Sequence, residues 1–118
     1  MSQTTPDNVT EYDPEELKEL MDAGRVLLID VREPVEYHAE RIPGALLYPL
    51  STFDPALLPK DESRQVVFHC AAGGRSLTAA RKRMALGQPG AHMSGGITEW
   101  RAAGLPVIRT DPRTGKPL

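Results

Sequence analysis

Residues 65–76 run Gln65-Val66-Val67-Phe68-His69-Cys70-Ala71-Ala72-Gly73-Gly74-Arg75-Ser76. Val66, Val67 and Phe68 follow one another without a polar break in a stretch too short for a helix, the pattern of a strand covered on both faces. Two alanines and two glycines then let the chain turn. Leu77, Ala80 and Met84 return at helical spacing and mark the inward face of a helix that ends near Gly87, with Arg81, Lys82 and Arg83 on its solvated outer face. Strand, tight turn and helix in this order form the repeating unit of an α/β domain with a mainly parallel sheet.

The flanking sequence repeats the theme. Asp13 is suited to cap a helix, Pro14 to its first position, and Glu16 to the reciprocal place of a capping box. Leu17, Leu20 and Met21 give that helix one apolar stripe, and Gly24 stops it. Val26-Leu27-Leu28-Ile29 is a second buried strand, running into Asp30-Val31-Arg32. Glu33 to His38 predicts one or two helical turns, Ala45 to Tyr48 a short strand, and Asp54 to Leu58 a brief helix. Beyond the central unit, Ala91 to Ser94 predicts a last strand and Gly95-Gly96 a turn. Thr98 to Ala103 predicts a helix with Trp100 plugging the core. One domain over residues 9–108 follows, with 1–8 and 109–118 as tails.

The 118 residues suit a single hydrophobic core, and 40% apolar content excludes a disordered chain. With 14 basic against 16 acidic residues the net charge is -2, which speaks against nucleic acid as a partner. No apolar run approaches the roughly 18–20 residues of a membrane span. The first 20 residues are polar and acidic, unlike a secretory signal, so the expected location is the cytoplasm. A single cysteine excludes an internal disulfide and a thiolate-built zinc site. His38 and His92 show no metal-ligand spacing, so no metal is expected.

Ligands of parallel sheets bind at the carboxyl ends of the strands, where Cys70 stands. The small residues Ala71, Ala72, Gly73 and Gly74 let consecutive amides turn inward, and the start of the next helix adds unpaired donors and partial positive charge. Arg75 adds a full charge, acting either as an anion ligand or as a brace of the loop. Ser76 reads as a cap or brace. The anion nearest to hand is the sulfur of Cys70 itself. A free thiol is only about 3% ionised at pH 7, and a helix N-terminus can make the thiolate the major form. The loop is thus expected to yield a ready nucleophile with no neighbouring base. His69, preceding Cys70 on the strand, points to the opposite face and is expected to pack in the core.

Taken together, these stretches resemble the rhodanese family of sulfurtransferases in its single-domain form. The resemblance spans Val9 to Val107. It rests on Leu28 to Glu33, His38 to Ala45, Val66 to Cys70 with the loop to Ser76, and Gly95-Gly96-Ile97-Thr98-Glu99-Trp100 before Gly104-Leu105-Pro106-Val107. It implies a doubly wound α/β domain with a mainly parallel five-stranded sheet flanked by helices. It implies that Cys70 takes sulfane sulfur from thiosulfate or another persulfide donor. The resulting persulfide, wrapped by Ala71 to Ser76, passes to cyanide or a thiol acceptor, with a sulfur-relay protein as a further partner and no cofactor. Asp30 and Arg32, near another strand end, are supporting residues that hold loops around the site or contact substrate.

Two alternatives stand beside this reading. A binding or regulatory module could keep the fold without turnover, and a persulfide carrier that needs a protein donor lies between that and the enzyme. Cysteine phosphatases and arsenate reductases use a similar anion cradle, but with five residues between cysteine and arginine, where Cys70 and Arg75 are separated by four. One departure bears on substrate. The resemblance implies basic loop residues and an extra arginine in the larger thiosulfate enzymes, whereas this chain has Ala71, Ala72 and Glu36. Losing those cations should weaken binding of the thiosulfate dianion by about 1–3 kcal/mol.

Overall fold

A computed structural model describes residues 2–59 and 62–118. Along the chain lie β1 (Gln3–Thr4), β2 (Thr10–Tyr12), α1 (Pro14–Asp22), β3 (Val26–Asp30), α2 (Pro34–Ala39), β4 (Glu40–Arg41) and β5 (Leu46–Leu47). Two 3₁₀ turns at Leu50–Thr52 and Pro55–Leu57 lead to β6 (Gln65–His69), α3 (Gly74–Met84), β7 (Ala91–Met93), α4 (Gly96–Ala102) and β8 (Ile108–Arg109).

The main sheet has the order β1-β2-β7-β6-β3-β5. Its five strands from β2 to β5 are parallel to their neighbours, which is the expected parallel core. A sixth strand is added at the edge, because Gln3 and Thr4, taken from sequence as tail, pair antiparallel with β2. Residues 109–118 also carry structure. Ile108 and Arg109 pair with β4, and Thr110 bridges to Pro117.

Strand alternation divides the core into two layers. Leu27, Ile29, Val66 and Phe68 face α3, whereas Val26, Leu28 and Val67 face α1 and α4, where Leu17, Ile97 and Trp100 meet them. Both faces being covered, β3 and β6 show no polar alternation in sequence. The Trp100 indole N–H donates to the Pro106 carbonyl at 2.8 Å, which satisfies its polar edge inside the core.

Local chemistry places most boundaries. Asp13 caps α1 by accepting from the Glu16 amide at 2.8 Å, and Glu16 closes the capping box on the Asp13 amide. The principal shift lies at α4, which starts at Gly96 rather than at Thr98. Its first turn is set by a tertiary contact with the cysteine loop. None of the described helices is long and apolar enough to cross a membrane.

Candidate active site

β6 ends at His69 and delivers Cys70 to the carboxyl edge of the sheet, on the α3 face with Val66 and Phe68. The cysteine is buried at the margin of that core layer. Its sulfur is nevertheless surrounded by donors. The Gly73 amide donates to Sγ at 3.1 Å and the Ser76 amide at 3.4 Å, while the Ser76 hydroxyl lies 3.6 Å away. The turn that aims these amides depends on Gly73, whose φ of 112° lies in the region other residues avoid.

The loop is held from its other side by α4. The Ile97 and Thr98 amides donate to the Cys70 and Ala71 carbonyls at 2.9 and 3.2 Å. This approach is so close that a Cβ on Gly96 would fall 2.4 Å from the Cys70 carbonyl oxygen and 2.5 Å from Ala71 backbone atoms. The Gly95-Gly96 pair therefore does more than turn the chain: it lets one backbone rest on another at the cysteine loop.

Two opposing forces act on the Cys70 thiol. Burial pushes its pKa up, but the Ser76 hydroxyl and the amides of Ser76, Gly73 and Ala72 outweigh that and hold it below the ordinary thiol value. The cysteine thus sits in a cradle that favours an anion on sulfur, as the small-residue loop predicts. Gly73 and Ser76 make the direct contacts. Ala71 anchors the loop to α4, and Gly74 opens α3.

Arg75 is not aimed at the sulfur. Its guanidinium forms a bidentate pair with Glu36 on α2, Nη1 to Oε1 at 2.7 Å and Nη2 to Oε2 at 2.9 Å. Arg75 holds the Glu36 carboxyl down to about 2, so the pair stays ionised at any ordinary pH. Of the two sequence-based readings for Arg75, the geometry favours the brace: α3 is clipped to α2 across the mouth of the loop.

Asp30 and Arg32 form a second, buried brace. Asp30 accepts from the Arg32 backbone amide at 2.9 Å and from its guanidinium at 2.8 and 3.1 Å, and Arg32 Nη2 reaches the Glu40 carbonyl at 2.6 Å. Beside them His69 is buried on the face opposite Cys70, with Nδ1 3.3 Å from the Cys70 carbonyl and Nε2 3.4 Å from Asp30 Oδ2, Nε2 having no hydrogen-bond partner among the described residues. Burial keeps the His69 pKa below its usual value, despite the opposing pull of Asp30.

Two residues outside the expected set adjoin the site. His92 on β7 places Nδ1 2.8 Å from Ser76 Oγ, and its Nε2 lies 2.8 Å from Glu11 Oε2 on β2. Strand alternation carries the only signal for them. His92 pairs with Phe68, two residues before Cys70, and so faces the same layer.

The rhodanese-like domain family matches residues 13–103, a span that includes the whole cysteine loop and the α4 turn. The chain belongs to the rhodanese-like family. It is 38% identical over 104 residues to a sulfurtransferase of Allochromatium vinosum, covering 85% of this chain and 95% of that protein. It is 37% identical over 100 residues to the human thiosulfate:glutathione sulfurtransferase, covering 72% of this chain and 87% of that protein. The crystal structure of a rhodanese-related protein from Thermoplasma volcanium matches with a TM-score of 0.73 at 29% identity, over 83% of this chain and 96% of that one. The chain spans 62% of the length of a Synechocystis relative of uncharacterised role, to which it is 38% identical over 93% of its own residues. Kinship with named sulfurtransferases supports an enzyme of sulfur transfer in general terms.

Proposed function

We propose that this rhodanese-like protein moves sulfane sulfur through a persulfide on Cys70. The observation that carries the proposal is a sulfur at the carboxyl end of β6, receiving amides at 3.1 and 3.4 Å in a loop of small residues. In the loading step the Cys70 thiolate attacks the outer sulfur of a donor. With thiosulfate, the new S–S bond forms as the donor S–S bond breaks, and sulfite departs with the electron pair. The negative charge then resides on the terminal sulfur of the persulfide, where inward amides stabilise it. In the second step an acceptor thiolate or cyanide attacks that terminal sulfur, and the Cys70 thiolate leaves. With no second cysteine in the chain, the persulfide has no internal thiol to discharge it as a disulfide. A reducing compartment such as the cytoplasm suits a lone thiol of this kind.

A second reading concerns the donor. The Arg75 charge is already matched by Glu36, so the arginine of the loop is not committed to a dianion. This favours a donor carrying less charge than thiosulfate, such as a small-molecule persulfide or a sulfur-relay protein, with thiosulfate working at high concentration. A phosphate ester, doubly charged and bulkier than one sulfur, is disfavoured by the same pairing.

Intact-mass measurement tests the core of the proposal. After incubation with excess thiosulfate or a glutathione persulfide, the protein should gain the mass of one sulfur atom, which cyanide then removes as thiocyanate. Cys70→Ser should abolish both the gain and the turnover while leaving the thermal unfolding midpoint close to that of the parent protein. No gain with either donor, together with hydrolysis of an aryl phosphate, would reassign the site to phosphoryl chemistry.

A further inference from the structure

Burial of Cys70 raises the question of where its proton goes when the thiol ionises. The hydrogen bonds around the sulfur continue beyond the loop in one direction. From Sγ the path runs 3.6 Å to Ser76 Oγ, 2.8 Å to His92 Nδ1, then from Nε2 2.8 Å to Glu11 Oε2. Cys70, Ser76 and His92 are all buried, and the Glu11 side chain is 29% exposed, so the path begins in the core and ends at water. The fold sets this alignment. Glu11 and His92 are direct partners on adjacent parallel strands, and His92 meets the first turn of α3 through Ser76.

We propose that Ser76, His92 and Glu11 form a proton relay that takes up the Cys70 proton when the thiolate forms and returns it when the thiol is restored. The inference rests on Cys70 being the sulfur nucleophile, and it assigns His92 and Glu11 as positioning residues for it.

The donor and acceptor roles close in both protonation states. An ionised Glu11 can only accept, so Nε2 of His92 carries a hydrogen and Nδ1 is free to accept. The Ser76 hydroxyl then donates to Nδ1 and accepts the Cys70 S–H. On ionisation the S–H proton moves to Ser76 Oγ as the hydroxyl proton of Ser76 moves to Nδ1. One S–H bond is lost and one N–H bond gained, leaving a thiolate and an imidazolium. Ser76 now donates to the thiolate, and Nδ1–H donates to Ser76 Oγ. The Glu11 carboxylate offsets the imidazolium, which would be costly to bury unpaired. The Gly73 carbonyl, 3.1 Å from Ser76 Oγ, competes as an acceptor for the hydroxyl.

The charged groups on the surrounding elements leave the relay intact. On α3, Arg75 is held by Glu36 and Arg81 by Asp7, while Glu99 of α4 lies against Gly95. The lowered Cys70 pKa, with the Ser76 hydroxyl foremost among its causes after burial, agrees with the relay.

The rate of Cys70 alkylation by iodoacetamide, followed from pH 5 to pH 10 on the full chain, decides the matter. It reads thiol ionisation whether or not any donor loads sulfur, so it stays informative if the persulfide proposal fails. His92→Gln can keep a hydrogen bond to both neighbours but cannot take a proton. Its inflection should move to higher pH by about one unit, with a rate up to about tenfold lower below the inflection and unchanged at pH 10. Glu11→Gln should move the inflection in the same direction, with about threefold loss at pH 6.5. Profiles superimposable on the parent protein's overturn the relay. A loss equal at every pH also overturns it, since that is the mark of a structural brace alone. Should His92→Gln fail to fold, Glu11→Gln decides between these outcomes by itself.

Discussion

Replacing Glu36 by glutamine isolates the charge that the Arg75 pair withholds from the substrate. In the native protein the guanidinium donates two hydrogen bonds to a carboxylate, at 2.7 and 2.9 Å, and both side chains are about one-third exposed, at 36% and 33%. Glu36→Gln keeps one acceptor oxygen and removes the negative charge, so Arg75 stays near the loop with its charge unmatched. A buried arginine facing a dianion would contribute several kcal/mol, but exposure of this degree reduces the gain to about 1 kcal/mol. That corresponds to about a fivefold lower KM for thiosulfate. Thiocyanate formation measured over a range of thiosulfate at fixed cyanide reads it directly, with kcat little changed because attack on the persulfide follows. The gain should shrink as salt is raised, since the Debye length is about 8 Å at physiological ionic strength and shorter above it. Because Glu36 is held near 2, it remains charged throughout the assay range, and the parent KM should carry no inflection from it between pH 4 and pH 8. A thiosulfate KM that stays the same or rises in Glu36→Gln would refute the view that this carboxylate screens the site against dianions.

Two further outcomes follow from packing. Gly96→Ala places a Cβ 2.4 Å from the Cys70 carbonyl oxygen at a φ of 59°, against backbone that cannot give way. The loss should reach about 3 kcal/mol or more in urea unfolding, of which the left-handed conformation accounts for about 1–2, and an unchanged midpoint would contradict the contact. His69 binds its proton more weakly folded than unfolded, because burial lowers its pKa. Between the two values the unfolded chain holds more protons. The stabilisation is therefore complete above the unfolded pKa near 6.5 and is lost as pH falls below it, at up to about 1.4 kcal/mol per pH unit. The urea midpoint should drop between pH 7 and pH 5, and His69→Phe should remove that slope.

What could be read from the sequence, and what could not, divides along the range of the interactions. Asp13, Pro14 and Glu16 announce α1 because a cap is completed within four residues. The parallel strands β3 and β6 announce themselves because burial on both faces suppresses alternation. The position of Cys70 follows from the strand end and the glycines after it. By contrast, the start of α4 depends on Gly96 touching the cysteine loop, a contact across 26 positions in the chain. Gln3 and Thr4 carry no apolar signal, and they become a strand only because β2 offers them an edge. In sequence Arg75 reads equally as an anion ligand or as a brace of the loop, since nothing local shows that Glu36, 39 residues earlier, pairs with it. His92 and Glu11 stand 81 residues apart, joined only through the register of two strands whose pairing the sequence does not state.

The same long-range contacts decide what charge the site tolerates. Cys70 is packed with Phe68 and Ala80 in the core, an environment that by itself would keep the thiol neutral. Each amide hydrogen bond to an ionised sulfur contributes about 1.5–3 kcal/mol, and desolvating a single charge costs several. Three amides and one hydroxyl together offset that cost for one negative charge at this depth. With Arg75 paired to Glu36, the arginine of the loop adds no unmatched charge for a second. On the proposed function, the loop suits a species whose charge rests on one sulfur atom, first the thiolate and then the terminal sulfur of a persulfide. A dianion must approach with part of its charge left in water. On the proposed function, selectivity would follow from Arg75 being already paired, because an unmatched cation beside the cysteine would reward a doubly charged ligand that could then hold the site closed to the sulfur acceptor.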